Sequence, residues 1–162
     1  MSPSTARRAR SDWMDRDHES HAEITGIRGQ QPTAGELLFR KRQRMNDMAL
    51  AGRACRRRRV AGYVQVTFGE APADVEQMLR TEAVRRGWHM TRMFVDPAGM
   101  LPPMQRKDWL MVRRYVHEGF ADGVIVLNRR HISPDADEYL AQLAFLCGRP
   151  AFVALVVPET AA

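Results

Sequence analysis

The residues best suited to chemistry gather in a few short stretches. Arg129-Arg130-His131 places two guanidinium groups beside an imidazole, a cationic set suited to phosphate, with a solvated turn as an equal alternative use. Gly99, Pro102 and Pro103 precede Arg106, in a segment that reads either as a loop able to move over a site or as a stiff solvent loop. Thr67-Phe68-Gly69-Glu70 holds a single glycine and matches neither G-x-G-x-x-G nor G-x-x-x-x-G-K-[ST]. A dinucleotide or P-loop site would therefore lack its phosphate cradle. Upstream, Arg40, Lys41, Arg42 and Arg44, then Arg56, Arg57, Arg58 and Arg59, form a basic tract of the kind that neutralises nucleic-acid phosphates.

Metal chemistry is poorly served. Asp15, Asp17, His18 and His21 are the right types, and both histidines would share a helix face, but nothing nearby supplies a buried set of supporting partners. A solvated polar tail is the better reading. Cys55 and Cys147 form no C-x-x-C pair, so neither a zinc set nor a disulfide framework is expected. No metal and no cofactor are expected.

The charge distribution separates two regions. From Met1 to Arg59 there are 14 Lys and Arg against 7 Asp and Glu, whereas from Val60 to Ala162 there are 11 against 12. The whole excess behind the net charge of +6 thus lies in the first third, as a basic arm for an anionic partner attached to a near-neutral body. The longest apolar runs, such as Ala151 to Val157, are strand-sized and far short of the ~20 residues of a membrane span. No apolar stretch follows the N-terminal arginines to act as a signal peptide, so a cytoplasmic location is expected, with no membrane partner.

The elements that must position these residues follow from periodicity and punctuation. Residues 1–32 show no sustained period and are expected to be a mobile polar tail. Thr33-Ala34-Gly35-Glu36 matches the capping-box pattern, so a helix starts there, with Leu37, Leu38, Met45, Met48 and Ala49 on its apolar side. It and the arginine run make up 33–59. From Val60 the chain alternates. Strands are expected at Val60–Phe68, Trp88–Val95, Gly123–Leu127 and Ala151–Val157. Helices are expected at Pro72–Arg86, closed by Gly87, at Arg106–Glu118, closed by Gly119, and from an N-cap at Ser133 through to Gly148. This order predicts an α/β fold over 60–158, with a small, mostly parallel four-stranded sheet and helices on both faces, followed by a short end at 159–162. Such a sheet presents its working groups beyond the C-terminal ends of its strands, the loops that carry Thr67, Arg106 and Arg129 to His131.

Gly62-Tyr63-Val64-Gln65-Val66-Thr67 resembles the G-Y-x-R-V-S first strand of the serine recombinases, the resolvase and invertase group. The resemblance runs on through Asp74 to Arg86 with Gly87-Trp88, similar to the family's A-x-x-x-G-W ending. Phe94-Val95-Asp96 with Gly99 is similar to its F-x-D…S-G segment, and Arg106-Lys107 to its R-K-G-L helix start, with Asp108 and Trp109 in place of Gly and Leu. Gly123 to Leu127 is similar to its D-V-V-V-V strand, and Asn128 to Leu140 to L-D-R-L-x-R and the helix after it. Motifs in order across roughly Val60 to Pro158 imply the resolvase catalytic-domain fold.

The resemblance implies DNA as partner and a metal-free chemistry, in which a serine hydroxyl attacks a phosphodiester while arginines and an Asp hold the transferring phosphate. Here the serine position falls on Thr67, whose β-branching adds a methyl beside the hydroxyl. The first-strand Arg falls on Gln65, the Asp of the third-strand loop on Arg130, the next Arg on His131 and the second Arg of that motif on Pro134. Arg106 alone keeps the family's active-site arginine. Thr67, Arg106 and His131 are thus the candidate catalytic positions. The candidate nucleic-acid contacts are Arg40, Lys41, Arg42, Arg44, Arg56 to Arg59, Arg129 and Arg130. The family's plan continues into a dimerising helix and a DNA-binding module, so DNA affinity here is expected from the basic N-terminal region. The expectation is a resolvase-like protein without strand exchange, binding DNA or assisting a full-length recombinase or further copies of itself. An active enzyme using Thr67, and a protein-interaction module built on the helix after Thr33, are the alternatives.

Overall fold

The computed structural model describes residues 30–53, 56–67 and 69–161. The expectations for residues 1–29, including Asp15, Asp17, His18 and His21, and for Cys55 lie outside them. The elements below all belong to the unit Thr33–Ala162.

Helix α1 (Ala34–Leu50) opens with the expected reciprocal cap: the Thr33 hydroxyl accepts from Glu36 N at 3.2 Å and Glu36 accepts from Thr33 N at 2.8 Å. Strand β1 (Arg59–Gln65), helix α2 (Pro72–Arg85), strand β2 (His89–Asp96), helix α3 (Lys107–His117), strand β3 (Gly123–Val126), helix α4 (Ala136–Gly148) and strand β4 (Phe152–Leu155) follow. Short 3-10 turns at Pro103–Gln105 and Arg129–His131 precede α3 and follow β3. The four strands pair in the order β2-β1-β3-β4, every pair parallel. The expected α/β sheet is therefore present, and no described helix is long and apolar enough to cross a membrane.

Strand alternation divides the core in two. Ala61, Tyr63, Val124, Val126, Val153 and Leu155 point to the face covered by α3 and α4, where Trp109, Val112, Tyr139 and Leu143 pack. Val60, Val64, Ile125 and Phe152 point to the opposite face and meet Val75, Leu79 and Ala83 of α2. Gly123 is required by close approach: a Cβ there would sit 2.6 Å from the Phe152 carbonyl oxygen. Gly87, at φ 70°, ends α2 in the left-handed region that side chains avoid.

Two local expectations are corrected. The cap of α4 is Asp135, whose carboxylate accepts from Glu138 N at 2.8 Å. Ser133 is buried two residues earlier, accepting from Asp135 N and donating to Glu138 Oε2 at 2.7 Å. A carboxylate is a stronger acceptor at the positive end of a helix than a hydroxyl, and it shifts the start by two residues. The second correction concerns α1. Its buried stripe is Leu38, Arg42, Asn46 and Ala49, while Leu37 and Met48 are exposed.

The polar members of that stripe have a reason. Strand β4 ends the sheet and offers unpaired backbone groups. Asn46 satisfies them as a neighbouring strand would: its amide donates to Val153 O at 2.8 Å and accepts from Val153 N at 2.9 Å. Arg42 adds a bond to the same carbonyl and a two-pronged pair with Glu159 at 2.8 and 2.9 Å. Tyr139 donates to the same carboxylate at 2.7 Å, so α1, α4 and the chain after β4 meet at one buried charge.

Candidate functional site

Strand β1 is followed by α2 on one face, and its neighbour β3 leads to α4 on the other. The chain thus parts to opposite faces between β1 and β3, which opens a crevice beyond their C-terminal ends. A cavity of about 410 Å³ lies there, lined by Gln65, Thr67 and Glu70 from the β1 side, Asn128 to His131 from the β3 side, and Arg106. The three candidate catalytic positions, Thr67, Arg106 and His131, are brought together, with Arg129 and Arg130 beside them.

Each side chain has a distinct electrostatic state. His131 is buried, and its Nδ1 accepts from the Gln65 backbone N–H at 3.1 Å, which leaves the proton of the neutral ring on Nε2. Burial lowers its pKa, opposed by the Glu70 carboxylate 3.9 Å from Nε2 and assisted by the Arg106 charge. At neutral pH it is an uncharged imidazole and does not replace a guanidinium. Gln65 is also uncharged, and its side-chain amide donates to the Gly99 carbonyl, tying the β2 loop to β1.

Arg106 is 1% exposed. Its Nε donates to Leu101 O at 2.6 Å and one terminal nitrogen donates to His131 O and Ile132 O, both at 2.9 Å. The guanidinium therefore fastens the β2 loop to the β3 loop. Beneath it, Tyr63 donates to Asp96 Oδ2 at 2.8 Å, and Asp96 Oδ1 accepts from Ala98 N. Burial, reinforced by Asp96, holds the Tyr63 phenol well above the usual range and keeps it protonated. Arg129 bonds Pro134 O, also in the cavity lining, at 2.6 Å, and among the described residues the exposed Arg130 side chain makes no hydrogen bond.

Thr67 donates its hydroxyl to Glu70 Oε2 at 3.1 Å. Glu70 had no role in the reading of the sequence, although a hydroxyl and a carboxylate three residues apart in a turn are a legible local pair. Its negative charge beside Thr67 disfavours an approaching phosphodiester but suits acceptance of a hydroxyl proton.

The basic candidates fall elsewhere. Arg40, Lys41 and Arg44 are exposed on α1. Arg42, expected among the phosphate contacts, is 5% exposed and paired with Glu159, so it faces no external anion. Arg56 to Arg59 lead into the start of β1, at the end of the sheet opposite the cavity. There Arg56 and Arg59 bond Asp122, Arg58 lies 5.6 Å from the centre of the Phe152 ring, and Arg57 is exposed. The apolar side proposed for partner docking through α1 is divided: Leu38 and Ala49 pack inward, while Met48 is 73% exposed.

No protein-family model matches the chain, and no curated protein sequence does either. Solved structures do resemble it. The C-terminal catalytic domain of ISC1926 TnpA, an IS607-like serine recombinase, aligns over 64% of this chain and 73% of its own, at 21% identity and a TM-score of 0.52. The N-terminal catalytic domain of TP901-1 integrase aligns over 60% and 77%, at 18% identity and a TM-score of 0.54. At such identities the likeness is one of backbone architecture, and this chain has the fold of serine recombinase catalytic domains.

Proposed function

We propose that this protein is a serine-recombinase-like protein that associates with DNA without exchanging strands, as a DNA-binding or accessory protein. It would act alone, beside a full-length recombinase, or with further copies of itself. The observation that carries this reading is the state of Arg106. The one retained active-site arginine is buried and committed to the carbonyls of Leu101, His131 and Ile132. Gln65 and the neutral His131 stand where the resemblance would place two further guanidinium groups. Each charge-assisted donor missing from a phosphoryl-type transition state costs about 3 kcal/mol, so several such losses together suppress the reaction severely.

A second reading is favoured by one contact. The Thr67 hydroxyl already donates to Glu70, the geometry of a nucleophile with a base to take its proton. In that case Thr67 Oγ attacks the phosphorus while its proton passes to Glu70, the P–O bond to one sugar oxygen breaks, and that oxygen leaves as a hydroxyl by taking the proton back from Glu70; Arg130 is the cation best placed to meet the phosphate oxygens.

One experiment separates the two. The purified chain is incubated with supercoiled and nicked DNA, and covalent protein–DNA adduct is read on a denaturing gel beside Thr67→Ala and Thr67→Ser. The expected result is no adduct from any of the three. An adduct that disappears in Thr67→Ala would replace the first reading by the second.

A further inference from the structure

A second group of arginines gathers at the other end of the sheet. Beyond the N-terminal ends of β1, β3 and β4, under the last turns of α3 and α4, lies an open cleft of about 340 Å³. That is room for roughly ten waters at ~30 Å³ each. Arg53, Arg56, Arg59 and Arg149 line it, and Asp122, just before β3, forms its floor.

Asp122 is nearly buried and cannot neutralise all four. Arg59 uses it fully, through its backbone N–H at 2.9 Å and its guanidinium at 3.1 Å, and gives a further bond to Gly119 O. Arg56 makes a single bond to the same carboxylate at 3.0 Å, and Arg53 stands 3.9 Å away, beyond hydrogen-bond range. Arg149 gives one bond, to His117 O at 3.0 Å. Glu118, also in the wall, is engaged by Arg114 at 2.8 Å. Most N–H groups of Arg53, Arg56 and Arg149 are therefore without a partner among the described residues, and they share one cleft in which four guanidinium groups face the two carboxylates of Asp122 and Glu118.

A carboxylate beneath a ring of guanidinium groups would repel an anion if it were exposed. Here it is covered by Arg59 and fixes Arg56 in place, so that it organises the ring. The helix ends above the cleft favour cations, and at the end of α3 Arg149 bonds His117 O and Arg59 bonds Gly119 O.

We infer that the cleft of Arg53, Arg56 and Arg149 around Asp122 is a phosphate-binding site, opposite the Thr67 cavity, that receives the backbone of a nucleic acid. The inference rests on the proposed DNA association and gives it a location distinct from the exposed Arg40, Lys41 and Arg44 of α1. Forked guanidinium groups bind phosphate oxygens in pairs, and the cleft is open to solvent.

The test compares two variants that each remove three positive charges. One carries Arg53→Gln, Arg56→Gln and Arg149→Gln, all exposed positions whose loss leaves Arg59 on Asp122; the other carries Arg40→Gln, Lys41→Gln and Arg44→Gln. Circular dichroism checks that both fold. Binding of inorganic pyrophosphate is measured by calorimetry, and binding of a short fluorescent DNA duplex by anisotropy across a salt series. In the cleft variant pyrophosphate binding should vanish and duplex affinity fall at least ~10-fold, with the slope of log K against log salt reduced by ~3, about 0.9 for each lost phosphate contact. The α1 variant should keep pyrophosphate binding. Equal losses in the two variants, or pyrophosphate binding unchanged in the cleft variant, would overturn the site while leaving DNA association standing. Pyrophosphate binding that requires the cleft, with no duplex binding by the native protein, would overturn DNA association and make the cleft a site for small phosphate anions. Binding of neither probe by the native protein would overturn both.

Discussion

The two ends of this sheet use the same residue type in opposite ways. At the C-terminal end Arg106 is buried and bonded to three carbonyls, where it closes loops on one another. At the N-terminal end Arg53, Arg56 and Arg149 are exposed and only partly engaged around Asp122. A guanidinium buried and held on several of the protein's own carbonyls contributes chiefly to the fold, and one with most of its donors to spare contributes to recognition. The family resemblance places chemistry at the first end, but apart from Arg130 the uncommitted charge is at the second.

The sharpest way to break this comparison is Arg106→Leu. Removing a buried guanidinium orphans the carbonyls of Leu101, His131 and Ile132 and unties the β2 and β3 loops. Unfolding in urea should show a loss of about 4 kcal/mol. The exposed Arg56→Gln should change stability by less than ~0.5 kcal/mol. If Arg106→Leu were as mild as Arg56→Gln, the Arg106 side chain would be free to turn toward a phosphate, and the inactive reading of the cavity would lose its support.

Arg42→Met asks the same question of α1. It leaves Glu159 buried without its cation, at a cost of about 3 kcal/mol at neutral pH. The sign of the pH effect follows from Glu159. Burial alone would raise its carboxyl pKa, but the bonds from Arg42 and Tyr139 win and hold it below the ordinary glutamate value of 4.5. In the native protein this stabilisation is complete above that value and is lost as pH falls through the lower folded pKa. The deficit of Arg42→Met should therefore be largest near pH 7 and shrink on acidification, which urea midpoints across the acid range would reveal. A deficit independent of pH would mean that Arg42 acts by packing its stem between α1 and the sheet rather than by its charge.

These arginines mark the limit of what the sequence discloses. Strand and helix order was legible because Val60, Val64, Val124 to Val126 and the α2 stripe carry their period openly, and Gly87 and Gly119 close helices where expected. The place of the cavity was legible too, since loops after parallel strands converge whatever their residues. Thr67, Arg106 and His131 duly line one space. The fate of an arginine was not. Arg42 and Arg44 lie two residues apart, but a helix turns them to different sides, and only the edge strand's need for partners decides that Arg42 and Asn46 go inward. Asp122 was equally opaque, because its partners at Arg56 and Arg59 are more than sixty residues away in the chain.

The smallest effect concerns His131. Burial lowers its pKa from 6.5, so the folded state binds fewer protons than the unfolded chain once pH drops below that value. Stability should hold above about pH 6.5 and decline as pH falls from there toward the lower folded value. His131→Gln removes the titrating ring and should flatten this part of the profile, read as the difference between urea midpoints at mildly acidic and mildly alkaline pH. The alternative outcome is informative about the cavity. If the native profile rises on mild acidification, His131 gains its proton in the folded protein, and the Glu70 carboxylate 3.9 Å away outweighs burial. The cavity would then hold an imidazolium that could meet a phosphate, and the contrast between the two ends of the sheet would narrow to the fixed position of Arg106.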